Sequence, residues 1–280
     1  MSAVASVTIA ELPAQETVME QAGRENFTVA SALLGRDRRR HLMAIYGFAR
    51  LVDDVGDEVA GDRSALLDLV EVELNCIYAG ECPRHPVMTT LAETVHECEL
   101  PAAPFRRLLE ANRWDQRVTR YESFEQLLAY CQLSAAPVGE LVLSVFRFAT
   151  PERVALSDRI CAGLQITEHL QDVDEDFRRG RVYLPREDLI RFGCDDDHLP
   201  ANRSPSRRAL IAFEAQRAHS LLSSGAPLAR TLSVRPRIAV SGFLAGGRAA
   251  LDVLQADAHQ RRAHPRASFG AAFLRSALGR

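Results

Sequence analysis

Tyr46-Gly-Phe-Ala-Arg50-Leu-Val-Asp53-Asp54-Val-Gly56-Asp57-Glu58 is the stretch on which the fold turns. On a helix, positions 46, 50, 53 and 57 step by four, three and four, so the four side chains share one face. Asp53 and Asp57 then repel across one turn, at a cost of roughly 0.2–0.5 kcal/mol. Gly56 inside the helix costs up to about 1 kcal/mol more than Ala would. An apolar-rich helix that carries both penalties points to a ligand.

A second stretch has the same design: Gln165-Ile-Thr-Glu168-His-Leu-Gln171-Asp172-Val-Asp174-Glu175-Asp176. Here 165, 168, 172 and 176 share a face, while Leu164, Leu170 and Val173 lie to the sides and can pack. Gly180 is placed to end the helix, and Arg181-Val-Tyr-Leu-Pro185 leaves it. One such row alone would read as a solvated acidic face. Asp54, Glu58, Asp174 and Glu175 fall off the rows and read as solvated. Two rows facing each other bring four or five carboxylates to one cavity, which cannot stay fully ionised without cations. All-oxygen donors select a hard ion, and Mg²⁺ prefers one or two carboxylates plus substrate phosphates. The implied substrate is a diphosphate, with Arg50 available to its oxygens.

Working outward, 3.6-residue apolar periodicity recurs and strict alternation is almost absent. Helices are expected over 28–34, 38–60, 64–79, 87–98, 104–118, 122–148, 152–179, 205–224, 236–257 and 267–278. An all-α architecture follows, with a flexible tail over 1–20 and a single domain over 21–280. Ser241-Gly-Phe-Leu-Ala-Gly-Gly247 sits in a helical pattern and reads as close helix packing, not as a dinucleotide loop. With 47% hydrophobic and 25% charged residues, the 280-residue chain is ordinary globular material rather than a disordered one. A net charge of −3 gives no overall reason to expect nucleic acid. Apolar stretches are interrupted too soon for a membrane span, and the first 20 residues lack the pattern of an export signal, so a cytoplasmic location is expected. Six scattered cysteines without a C-x-x-C pair are expected as reduced thiols, and zinc is not indicated. All 34 basic residues are Arg, so no lysine Schiff base can form.

Those two rows resemble the motifs of the squalene/phytoene synthase family, and the resemblance covers residues 24–260. A third family signature is present as Tyr130-Cys-Gln-Leu-Ser134-Ala-Ala-Pro137-Val-Gly139. Read by itself, it is a helix with Tyr130, Ser134 and Val138 on one face, a proline kink and small residues admitting a close neighbour; simple core packing is an equal reading. The resemblance implies the isoprenoid synthase class I fold and Mg²⁺-dependent chemistry on a prenyl diphosphate. It implies metal ligation by Asp53, Asp57, Asp172 and Asp176. It places Asn26, Phe27, Tyr46, Arg50, Tyr130, Ser134, Gln165 and Arg181 at the substrate.

Within the family, Glu25-Asn26-Phe27-Thr-Val-Ala-Ser31 and Ser134–Gly139 resemble the hydroxysqualene synthase branch of bacterial hopanoid pathways. That branch ionises presqualene diphosphate and captures the rearranged cation with water. Other enzymes would supply presqualene diphosphate and reduce hydroxysqualene. The sequence departs from the pattern in four places. Glu168 replaces a metal-ligating Asn and is expected to take over as ligand. Leu170 stands for Trp, Ala136 for Asn, and Ala258-His259 for Gly-Tyr. Head-to-head condensation of two prenyl diphosphates is the alternative reaction. A non-catalytic binding or assembly protein would be marked by loss of one Asp cluster, and a one-substrate cyclase by an Asn/Ser/Glu second motif. The basic, Phe-containing stretch His259–Arg280 reads either as a docked helix or as a peripheral contact at the inner face of a membrane.

Overall fold

Side-chain caps set where several helices begin. Asp62, Ser123, Thr150 and Ser204 each accept a hydrogen bond from a backbone amide three residues on. The computed structural model describes residues 7–20, 35–194, 199 and 204–259, with backbone alone for 257–259. Its helices are α1 (Gln15–Glu20), α2 (Arg36–Asp57), α3 (Arg63–Ala79), α4 (Pro86–Cys98), α5 (Ala102–Asp115) and α6 (Phe124–Ser134). They continue as α7 (Ala136–Val145), α8 (Pro151–Arg178), α9 (Arg186–Arg191), α10 (Pro205–Gly225) and α11 (Val234–His259). Among the described residues there is no strand, only an isolated bridge between Arg120 and Val182. The expected helices over 28–34 and 267–278 lie outside the described residues, as do Asn26, Phe27 and the stretch after His259.

Two hydrophobic cores share the bundle. One gathers α1 to α4 around Phe48, Leu51, Leu67, Leu74 and Leu91. The other gathers α6, α8, α10 and α11 around Tyr121, Tyr130, Leu164, Leu222 and Leu251. Helix α5 sends Leu108 and Leu109 into the first and Ala111 into the second, and α7 likewise divides Leu141 and Val145 from Leu143. Close approach of α8 to its neighbours depends on glycines. A Cβ on Gly139 would lie 2.3 Å from Ser157 Oγ, one on Gly163 would lie 2.9 Å from Leu222 Cδ2, and one on Gly247 would lie 2.6 Å from Leu164 Cδ2. The small-residue readings of Gly139 and Gly247 therefore hold in the fold.

Three expectations are corrected. The tail is structured over residues 7–20: a 3-10 turn at Ile9–Glu11 and the short α1 seat Leu12 and Val18 in the first core. His85 Nε2 lies 3.0 Å from the Pro13 carbonyl and ties the segment down. Two apolar anchors six residues apart are too sparse to show as helical periodicity. The expected helix 122–148 is two, because the chain turns at Ala135 and Pro137 opens α7. Together Phe124–Val145 are also long and apolar enough to span a membrane by length and composition, with a mean hydropathy of 1.3. Leu127, Cys131, Ala136, Pro137 and Leu141 are instead buried inside the bundle.

Helix α9 is clamped to α10 by charge. Arg217 Nη1 donates to Asp188 Oδ2 at 2.5 Å and to Glu214 Oε1 at 3.1 Å, with its guanidinium over the rings of Phe124 and Phe213. Burial and a hydrogen bond shared with Asp188 outweigh Arg217 and push the Glu214 carboxyl up to about 8. A carboxyl whose folded pKa lies above its unfolded value stabilises most below the unfolded pKa, and that contribution is lost as pH rises toward about 8. Glu214→Gln should therefore flatten the fall in Tm between mildly acidic pH and pH about 8. An unchanged profile in thermal melts would remove Glu214 as the titrating group.

Candidate active site

The first row begins on α2. Asp53 Oδ1 accepts a hydrogen bond from Asn112 Nδ2 on α5 at 3.0 Å. Gly56 is explained by the same neighbour: a Cβ there would sit 2.1 Å from Asn112 Oδ1, and the Gly56 carbonyl accepts from Gln116 Nε2 at 2.9 Å. The glycine makes room for the residue that holds Asp53, which corrects its reading as a cost borne directly for a ligand. Asp57 takes both arms of Arg181, at 2.6 Å and 3.3 Å. The repulsion expected between Asp53 and Asp57 is thus offset by an amide and a guanidinium.

Arg181 follows the end of α8. Gly180 adopts φ +82°, the left-handed conformation expected of it, and the chain leaves the helix there. The Arg181 backbone amide donates to the Asp176 carbonyl at 2.9 Å while its side chain reaches Asp57. One residue therefore ties the first row to the last aspartate of the second. Burial opposes the Arg181 charge, but Asp57, Tyr183 and Asp115 more than compensate and hold its pKa above the ordinary value.

On α8, Gln165, Glu168 and Asp176 are buried and Asp172 is half-buried. Between them His169 lies 3.2 Å from Gln165 Nε2 and 3.7 Å from Asp176 Oδ2. Its ring stacks on Tyr183, with centroids 3.7 Å apart and planes at 9°. Tyr121, Tyr130 and Tyr183 form an aromatic wall with ring centroids 5.5 to 5.8 Å apart. The Tyr130 hydroxyl donates to Asp115 Oδ2 at 2.7 Å, which fixes its ring. Ser134 Oγ bonds the Tyr130 carbonyl, and Tyr46 is buried on α2.

Arg50 and Asp54 depart from expectation. Arg50 is buried and pairs with Asp54 Oδ1 at 2.5 Å and Glu58 Oε1 at 3.0 Å, so its guanidinium is engaged along its own helix. Asp54 is buried rather than solvated. Asp174 is half-buried and held by Arg207 at 2.5 Å, whereas Glu58 and Glu175 are exposed as expected. Arg181 is a cationic group that does reach the rows, at Asp57. Asn112, Asp115, Tyr121, His169 and Tyr183 were not among the expected site residues. Their only sequence signal is polar side chains at 112, 115 and 116 on one face of α5, and aromatic rings beside Glu168 and Arg181.

The donor set of Asp53, Asp57, Glu168, Asp172 and Asp176 is all oxygen and fits a hard cation such as Mg²⁺. The buried Gln165 Oε1 has no hydrogen-bond partner beside them. Among the described residues no three His, Cys, Asp or Glu side chains converge on one point, and Arg181 is the group that neutralises Asp57. The Ala258 and His259 side chains lie outside the described residues.

A helical bundle of this order, with two carboxylate rows joined at one end, defines an isoprenoid synthase fold. The crystal structure of squalene synthase HpnC from Alicyclobacillus acidocaldarius superimposes with a TM-score of 0.83 and 39% identity, covering 90% of this chain and 98% of that one. The squalene/phytoene synthase family model matches residues 21–270, and the chain belongs to that family. A hydroxysqualene synthase from Rhodopseudomonas palustris is 38% identical over 210 residues, 73% of this chain and 70% of the relative. A phytoene synthase from Mycobacterium tuberculosis is 33% identical over 216 residues, 75% of this chain and 70% of the relative.

Proposed function

We propose that this chain converts presqualene diphosphate to hydroxysqualene. The observation that carries this reading within the family is the 35–38% identity to three relatives named hydroxysqualene synthase. The carbon–oxygen bond to diphosphate breaks and its electron pair leaves with the diphosphate. The cyclopropylcarbinyl cation rearranges, and water adds to it with loss of one proton. Mg²⁺ held by Asp53, Asp57, Glu168, Asp172 and Asp176 would act as the Lewis acid for the departing diphosphate.

The chain's own groups do the rest. Arg181, already drawn to the rows, donates to diphosphate oxygens with a planar fork suited to them. The Tyr130 ring would offer the cation an electron-rich face worth about 0.5–2 kcal/mol, while Tyr183, stacked on His169 and Tyr121, backs that wall. Asp115 holds the Tyr130 ring in place. The buried Leu164, Leu170 and Val173 beside the second row would keep bulk water from the cation until one molecule adds.

Purified protein with Mg²⁺ and presqualene diphosphate in ¹⁸O-water should yield labelled hydroxysqualene without NADPH, as read by mass spectrometry. Squalene formed only on addition of NADPH would assign a squalene synthase. Accumulation of presqualene diphosphate or phytoene from shorter prenyl diphosphates would assign the condensing reaction. No turnover of any of these by folded protein would assign a binding or assembly role.

A further inference from the structure

The charge of this chain is unevenly divided. Residues 215–280 carry ten Arg against two Asp, a net of +8, whereas residues 1–214 carry 24 Arg against 35 acidic residues, a net of −11. From Ala215 to Leu251 there is no acidic residue at all. Within that span the start of α11 exposes two large apolar side chains one turn apart, Val234 at 68% and Ile238 at 49%. They are two of only five large hydrophobics exposed among the described residues. Arg230, Arg235 and Arg237 are exposed around them. Arg237 also donates to the Leu232 carbonyl at 3.2 and 2.8 Å, which ties the first turn of α11 to the residue before it. Farther along, Ser241, Gly242, Ala245 and Ala249 are exposed and small, so the helix can lie flat against a surface.

The geometry points to an anionic lipid bilayer as the partner of this face. Val234 and Ile238 enter the headgroup region, and the arginines pair with lipid phosphates around them. Charge complementarity decides the occupant. A strongly basic segment with no acidic residue of its own repels a second copy of itself and the equally basic His259–Arg280 stretch, but is attracted to acidic headgroups. The inference is independent of which isoprenoid product the chain forms.

Sedimentation of the full chain with vesicles of phosphatidylcholine, with and without phosphatidylglycerol, tests it. Wild-type protein should sediment with the anionic vesicles only, and less so at high salt. Arg230→Gln with Arg235→Gln should reduce partitioning roughly tenfold or more. Val234→Ser with Ile238→Ser should lower it comparably, and both pairs should melt like wild type. Equal binding to neutral vesicles, or no loss in either patch variant, would overturn the proposal. So would loss confined to a variant with Arg261, Arg262 and Arg266 changed to Gln, which would move the contact to the C-terminal stretch. A dimer in gel filtration that Val234→Ser with Ile238→Ser disperses would give the face to a second copy instead.

Discussion

Asp172→Asn is expected to reduce turnover by at least about a hundredfold while leaving the protein as stable as before, or more so. Asp172 stands one turn from both Glu168 and Asp176 on α8, so three carboxylates crowd one face. Neutralising the middle one removes two like-charge contacts, worth together roughly 0.4–1 kcal/mol. In a chain of this size that raises Tm by about 1–4 °C. The same charge would be needed once Mg²⁺ and diphosphate occupy the site. Asp57→Asn should behave differently, losing stability along with turnover, because it strips the half-buried Arg181 of its bidentate partner. Steady-state turnover at saturating Mg²⁺, measured beside thermal melts, separates the two. Near-normal turnover of Asp172→Asn would remove that residue from the metal shell.

Gly225→Ala should be strongly destabilising for a single added methyl, because its clash includes a backbone carbonyl. A Cβ at Gly225 would lie 2.5 Å from Ile160 Cγ1 and 2.7 Å from the Leu156 carbonyl oxygen. The Ile160 amide nitrogen is also close, at 3.1 Å. A side chain can turn away, but a backbone carbonyl held within α8 cannot, so α10 must move. Overpacking of this kind costs about 1–3 kcal/mol, and Tm should fall by roughly 2–12 °C. Gly242→Ala is the matched control, since nothing lies within 4 Å of its Cβ. Better helix propensity should then raise Tm by about 1–3 °C. If both substitutions shift Tm alike, close packing of α8 on α10 is not what Gly225 provides.

What was legible in the sequence was local. The two rows, the left-handed turn at Gly180 and the small contacts at Gly139 and Gly247 follow from helical spacing and residue size, and each is found in the fold. Partners that meet across elements were not legible. Asn112 reaches Asp53 over 59 positions, and Arg181 reaches Asp57 over 124. No periodicity encodes either meeting, which depends on how α5 and the end of α8 are packed. Arg50 shows the same limit from the other side. It shares a face with Asp53 and Asp57 by spacing, yet its long side chain turns to Asp54 and Glu58. Helical position specifies where a side chain starts, not where a flexible guanidinium ends.

The division of the bundle into two cores has a mechanical consequence. Asp53 and Asp57 are mounted on one packed body, Asp172 and Asp176 on the other. Within each body, close packing resists deformation. At the rows, the joint between the bodies is made of polar links, the Asn112–Asp53 and Arg181–Asp57 contacts, which tolerate small rotations better than interlocked methyl groups do. The spacing of the rows is therefore set by α5 and α7, which place side chains in both cores, and not by the carboxylates themselves. Adding or removing a methylene at Leu108, Ala111, Leu141 or Leu143 re-spaces the jaws while their chemistry stays the same. A change of that kind would alter the distance between the rows and leave every carboxylate in place.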